Sequence, residues 1–368
     1  MSAFWGGVAV ILSLELRQRV RGIAWYVLLG VFVFLVAIVT VLLKLAFSFY
    51  PTGGEGVGDS GGASGGGAIF SAVIYFVLLL GTLVAPALSG TAINGDRDSG
   101  TLATTQVTLI TTGQLLLGKF LAAWLAALAF LAAALPFLIY AAIQGGIDWA
   151  TMIVSALVLI FELGIVAAIG VGLSGILNRP LFSIVVSYLV VAALSVGTLI
   201  AFGLGGVVVQ SQVVGTERTF VNEPTDGSAG SELPVNPDAP MACGPPTVVE
   251  STVPRFDHFW GILVANPYVL LADAVPTQFD TNSYPVDLFG VIKMGVRSVQ
   301  IAPDLHPVND YCKDFAAGPN AKQIINSTAP GWAVGMALHL LLALGSLFWA
   351  YRRTRTPSGK LPTGTRIA

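Results

Sequence analysis

The chain has 368 residues, 55% of them hydrophobic and only 10% charged, with a formal net charge of −2. A soluble domain carries about 25% charged residues, so this composition excludes an ordinary water-soluble core. With basic residues this sparse and set beside apolar runs, a nucleic-acid partner is excluded as well.

In chain order, residues 8–22 come first and interleave Ile11, Leu12, Leu14, Leu16 and Val20 with Glu15, Arg17, Arg19 and Arg21. That pattern suits an amphipathic helix over 1–22 lying in a membrane interface, its arginines at anionic headgroups. A helical extension of the next segment is the alternative. Six apolar stretches follow, at 23–47, 68–93, 115–143, 151–177, 181–209 and 331–351. A helix rises about 1.5 Å per residue, so about 20 apolar residues cross a hydrocarbon core of about 30 Å. The expected fold is therefore an all-α integral membrane protein, a bundle of six transmembrane helices with the first five inside 23–209. The first run exceeds the apolar core of a signal peptide, and 44–50 lacks a small-residue cleavage site, so it reads as a retained helix.

Orientation follows from where Lys and Arg fall. Arg17, Arg19 and Arg21 precede the first stretch, Arg97 and Lys119 come after the second, and Arg179 follows the fourth. A basic tail, 352–368, follows the sixth, whereas loops 48–67 and 144–150 contain neither Lys nor Arg. Both termini are expected in the cytoplasm and the long segment 210–330 outside, in a multi-pass protein of the cell membrane such as a bacterial plasma membrane. Cys243 and Cys312 both fall in that outer segment. An oxidising compartment suits a bond between them, two free thiols being the alternative.

Within the stretches, Pro86 predicts a kink in the second. Gly118, Ala122 and Ala126 in the third, and Gly164, Ala168 and Gly172 in the fourth, recur every four residues. Small residues in one stripe let helices approach closely in lipid. Glu162 sits mid-span, where a charge costs at least about 2.5 kcal/mol, so it should be neutral or paired. His339 in the sixth stretch is a possible partner. The loop 51–67 is Gly/Ser-rich, and 210–330 is rich in Pro, Gly, Asn and Asp. No strong helical period appears there until 256–275, which Asn266-Pro267 interrupts, so a surface-lying or re-entrant helix pair is expected.

Gly113-Gln-Leu-Leu-Leu-Gly118-Lys119 matches the start of a phosphate-binding loop, but Phe120 replaces the magnesium-ligating Ser/Thr and no strand precedes it. A helix start at the membrane face explains it better. Only His258, His306 and His339 occur, without metal-ligand spacing, and there is no Gly-x-Ser-x-Gly or Cys-x-x-Cys. No catalytic, cofactor or metal site is expected on the chain. The link 94–114 combines a charged cluster, a glycine and a helix-compatible run, suited to docking in a groove on a soluble partner. Composition alone favours a solvated turn with a capped helix start.

The run Gly95-Asp96-Arg97-Asp98-Ser99-Gly100-Thr101-Leu102, followed by Leu115-Leu116-Leu117-Gly118-Lys119-Phe120, resembles the acidic-x-x-Gly-Thr-Leu and Leu-Gly-Lys pattern of ABC-2 type ABC transporter permeases. The similarity extends to Glu15-Leu16-Arg17-Gln18-Arg19, to Leu173-Ser174-Gly175-Ile176-Leu177-Asn178-Arg179-Pro180 and to Asn266-Pro267-Tyr268. It covers nearly the whole chain, most thinly across 210–255 and 280–330. It departs from the family in two respects: the family's cluster is usually richer in Glu, Asp96 and Asp98 having shorter reach, and the outer segment 210–330 is larger than in many relatives, so its role is not inherited.

The resemblance implies the transmembrane permease subunit of an ATP-binding cassette exporter, not itself an enzyme. ATP and Mg would sit on a separate cytoplasmic ATPase subunit, and a second permease copy or a paralogue would complete the path through the bilayer. The link 94–114 would couple to the ATPase through Asp96, Arg97, Asp98, Gly100 and Thr101, with Asn178 and Arg179 as a second, smaller contact. The alternative is a non-transporting anchor that displays 210–330 for adhesion, sensing or assembly. A secondary transporter would show inverted repeats, and the chain shows no internal repeat.

Overall fold

Six helices long and apolar enough to cross a membrane dominate the computed structural model, which describes residues 2–49, 66–100, 110–144, 147–221, 242–313 and 318–354. The first helix, α1 (Ser2–Arg21), is separate from α2 (Ile23–Phe49); the chain bends between them at Gly22. Next come α3 (Gly66–Ser89), with Pro86 inside it, and the short α4 (Asn94–Asp98). Then follow α5 (Thr112–Ile143), α6 (Trp149–Ile176), α7 (Pro180–Val208) and, after the outer segment, α12 (Trp332–Thr354).

Local chemistry starts these helices where they start. Thr111 and Gln114 form a reciprocal capping box on α5, and Asp148 accepts from the Trp149 N–H at the head of α6. Pro180 opens α7, a position where its missing N–H costs nothing. Within α7, Ala193–Gly197 widens into a π turn, which frees backbone carbonyls from the regular ladder.

The main core joins Phe32 and Val36 of α2, Val73, Ile74, Val77 and Leu78 of α3, Phe130 of α5 and Leu159 and Leu163 of α6. Close approach rests on the small-residue stripes. A Cβ on Gly164 would stand 3.0 Å from Trp124 Nε1, and one on Gly172 would stand 2.8 Å from the Ser346 carbonyl carbon. Lys44 lies over the Tyr140 ring, 5.4 Å from its centroid.

The segment between α7 and α12 corrects the all-α expectation. It holds a three-stranded mixed sheet in the order β4-β1-β5. Here β1 is Gln210–Arg218, β4 is Thr247–Pro254 and β5 is Val308–Asp310. Strand β1 pairs antiparallel with β4 (Gln210↔Pro254 to Glu217↔Thr247) and parallel with β5 (Thr216↔Val308). A second pair joins β2 (Phe220–Val221) to β3 (Ala242–Cys243), and Cys243 is bonded to Cys312, their Cα atoms 6.0 Å apart. Burial of Val213 and Gly215 alternates with exposure along β1, and Thr247-Val248-Val249 in β4 is β-branched, as strands favour. The Pro, Gly, Asn and Asp that dominate the segment mark its turns, and they hide strands this short.

The interrupted apolar run forms a one-turn helix, α8 (Trp260–Leu263), and then α9 (Pro267–Ala274), capped by the Asn266 side chain. Val269, Leu270, Leu271 and Ala272 of α9 are buried. Two further helices, α10 (Leu288–Ser298) and α11 (Ala321–Ser327), were not expected from the sequence. Asp273 fastens this module to the last long helix. It accepts from Arg297 Nε at 2.7 Å and, through its other oxygen, from the Gly331 and Trp332 N–H groups at 2.7 and 2.9 Å.

Candidate functional site

The candidate site sits at the end of the bundle opposite the sheet. There α3 finishes at Ser89, the chain turns through 90–93, and α4 begins. The turn is tight: a Cβ on Gly90 would stand 3.1 Å from the Ile184 Cα of α7. Ser174 of α6 anchors the start of α4, its hydroxyl accepting from the Ile93 and Asn94 N–H groups at 2.9 and 3.1 Å. Gly100 ends the element with φ of +71°, a conformation that costs glycine little. Thr101 and residues 102–109 lie outside the described residues.

Lys119 is the hub. Its side chain is only 2% exposed, and its ammonium meets Asp96 Oδ2 at 2.7 Å and Glu15 Oε1 in a second ion pair. One charge thus ties α1, α4 and α5. An ammonium this buried is tolerable because two carboxylates face it. Gly118 makes the tie possible, since a Cβ there would stand 2.8 Å from Ile11 of α1. Gln114 adds a bond from Nε2 to the Phe4 carbonyl, 3.1 Å. The phosphate-loop-like run is therefore the packed first turns of α5, its second glycine and lysine engaged with α1 and α4. Arg19 donates to the Leu88 carbonyl at 2.9 Å, and burial lowers its guanidinium from the ordinary value while Glu15 opposes the shift.

A second bond joins the two stretches expected to act together. Arg97 Nη1 donates to Asn178 Oδ1 at 3.3 Å and lies 3.5 Å from the Leu177 carbonyl. Asp96 and Arg97 thus turn inward, while Asp98, Gly100, Asn178 and Arg179 are exposed on one small surface.

The model of the ABC-2 family transporter proteins matches residues 9–219. This chain belongs to that family. The matched region runs from within α1 to beyond α7 and includes Glu15, Asp96 and Lys119 of the junction. No curated protein matches the chain. An ABC-2 membrane component is typically non-catalytic.

A second polar constellation lies inside this ABC-2 bundle. His339 Nδ1 stands 3.0 Å from each oxygen of Glu162, and His339 Nε2 lies 2.9 Å from the Ala265 carbonyl. Both side chains are 1% exposed. One residue on, Asn266 Nδ2 donates to the Ser195 carbonyl in the π turn at 2.6 Å and to Thr198 Oγ1 at 2.9 Å. The loop between α8 and α9 is thereby bonded to α7 and α12, and through His339 it is linked to Glu162 of α6.

Sequence reasoning named Asp96, Arg97, Asp98, Asn178 and Arg179 but not Glu15, Ser174 or Lys119 as members of the junction. The Leu-Gly-Lys motif was the available signal. A lysine at a helix start beside a membrane reads as a headgroup contact, so its burial was not legible.

Proposed function

We propose that this ABC-2 membrane component is the permease half of an ATP-driven exporter, coupled through α4 to a separate ATPase that holds ATP and Mg. The observation that carries the reading is Lys119 paired to both Glu15 and Asp96, together with the Arg97–Asn178 bond. A push on α4 is then a push on α1, α5 and the turn between α6 and α7. No helix of the bundle absorbs it alone.

The driving free energy comes from the ATPase binding the two arrangements of this surface unequally, as any population shift requires. Basic residues cluster at this end (Arg17, Arg97, Arg179 and Arg352), which supports a cytoplasmic junction, with both termini and the ATPase on that side and the sheet outside. A second copy or a paralogue supplies the other half of the path.

The exposed residues are the ones to test, because reversing Asp96 also breaks the Lys119 hub. Asp98→Lys combined with Arg179→Glu leaves every described bond of the junction in place. The expected result is unchanged melting of the purified protein with loss of the co-purifying ATPase. An ATPase that still binds, and is still stimulated, overturns this interface.

A further inference from the structure

The last two turns of α12 carry a groove that the bundle does not fill. Gly345, Phe348, Trp349, Arg352 and Arg353 line an open cavity of about 560 Å³. Their spacing of three and four residues puts them on one face, away from Ala343 and Ala350, which are buried in the bundle. Phe348 and Trp349 are each 61% exposed. A Cβ on Gly345 would meet nothing within 4 Å, so the apolar end of the groove is open.

The other end is cationic, and no carboxylate among the described residues pairs with it. Neither Arg352 nor Arg353 has an ion pair or hydrogen bond among the described residues. Arg352 lies over the Phe348 ring, 5.9 Å from its centroid, and Arg353 is within electrostatic reach of Arg97 on α4. Three guanidinium groups therefore gather at this end of the bundle, and a bound anion would relieve their repulsion. From Gly345 to Arg352 the groove runs seven residues, or about 10 Å along the axis at 1.5 Å per residue.

We propose that this groove binds one anionic phospholipid. Arg352 and Arg353 hold the phosphate, whose geometry the guanidinium fork matches. The acyl chain lies over Gly345 between the Phe348 and Trp349 rings. An apolar trough with a cationic mouth is the shape and charge of that ligand, and it sits at the end of a helix that spans the membrane.

The test is native mass spectrometry of the full-length protein, titrated with phosphatidylglycerol or phosphatidylcholine. Each arginine near an anionic surface strengthens attraction about fivefold, so Arg352→Gln with Arg353→Gln should weaken phosphatidylglycerol retention about thirtyfold. Phosphatidylcholine retention should change little. Gly345→Leu keeps both charges but fills the trough, and it too should reduce phosphatidylglycerol binding. Inorganic phosphate at millimolar concentration should not displace the lipid.

An unchanged lipid preference in the double variant overturns the proposal, and so does full binding by Gly345→Leu. Displacement by inorganic phosphate would make this a simple anion site and overturn the lipid assignment. Loss of a dimer, with lipid count unchanged, would instead assign the groove to a second copy. None of these outcomes bears on the ATPase junction.

Discussion

Glu162 and His339, 177 residues apart in the chain, meet at 3.0 Å between two long helices, both almost completely enclosed. The Ala265 carbonyl can only accept, so His339 Nε2 carries a proton. His339 Nδ1 stands 3.0 Å from both Glu162 oxygens, within hydrogen-bond distance. The pair neutralises a group that hydrocarbon would otherwise penalise, and it holds the α8–α9 loop in the bundle.

Removing one partner should therefore cost more than removing both. His339→Leu leaves a buried carboxyl unpaired and should destabilise by about 3–5 kcal/mol. Glu162→Leu combined with His339→Leu should recover much of that loss. Thermal melting in detergent of the single and double variants checks this, and a double variant no more stable than His339→Leu would refute it.

Lys119→Met should unfasten the junction. Two carboxylates that now share one ammonium would face each other across the α1–α4 gap, at a cost of about 3 kcal/mol. Limited proteolysis should then cut near Gly22, where α1 leaves α2, sooner than in the parent protein. Equal cleavage rates would show that Glu15 and Asp96 contribute nothing to docking α1.

Gly172→Val tests the close seam between α6 and α12. Its Cβ would press on the Ser346 backbone, which cannot move like a side-chain tip. Overpacking of this kind costs about 1–3 kcal/mol. Gly345→Ala, on the open face of α12, is the control and should leave the melting temperature unchanged.

The outer module should depend on pH through Asp287 and Lys293. Burial raises the Asp287 carboxyl above its ordinary 3.8, with the Gly290 N–H and Lys293 opposing, and burial lowers the Lys293 ammonium below its ordinary 10.5. A folded carboxyl that keeps its proton stabilises the fold fully below 3.8, and the benefit is lost as pH rises through the folded value. An ammonium that loses its proton early has the opposite slope: stability rises with pH from the folded value up to 10.5. Melting between acid and alkaline pH should show both slopes. Asp287→Asn should flatten the acid one and Lys293→Met the alkaline one, and slopes that survive these changes would assign them to other groups.

Of all these features, the long helices and their family were readable before any coordinate was known. Twenty or more consecutive apolar residues leave the chain little choice, because every backbone polar group must be satisfied within its own segment in lipid. The glycine and alanine stripes at 118–126 and 164–172 were equally legible, since their spacing alone puts them on one face. Strands β1 and β4 were not, because pairing across 28 intervening residues leaves no local period in a turn-rich segment. Nor could position show that Lys119 is buried and Asp98 exposed, when both flank apolar runs in the same way. Which charge meets which partner, and which is left facing outward, depends on how α1, α4 and α5 pack together. That is a distance in space, and residue order does not contain it.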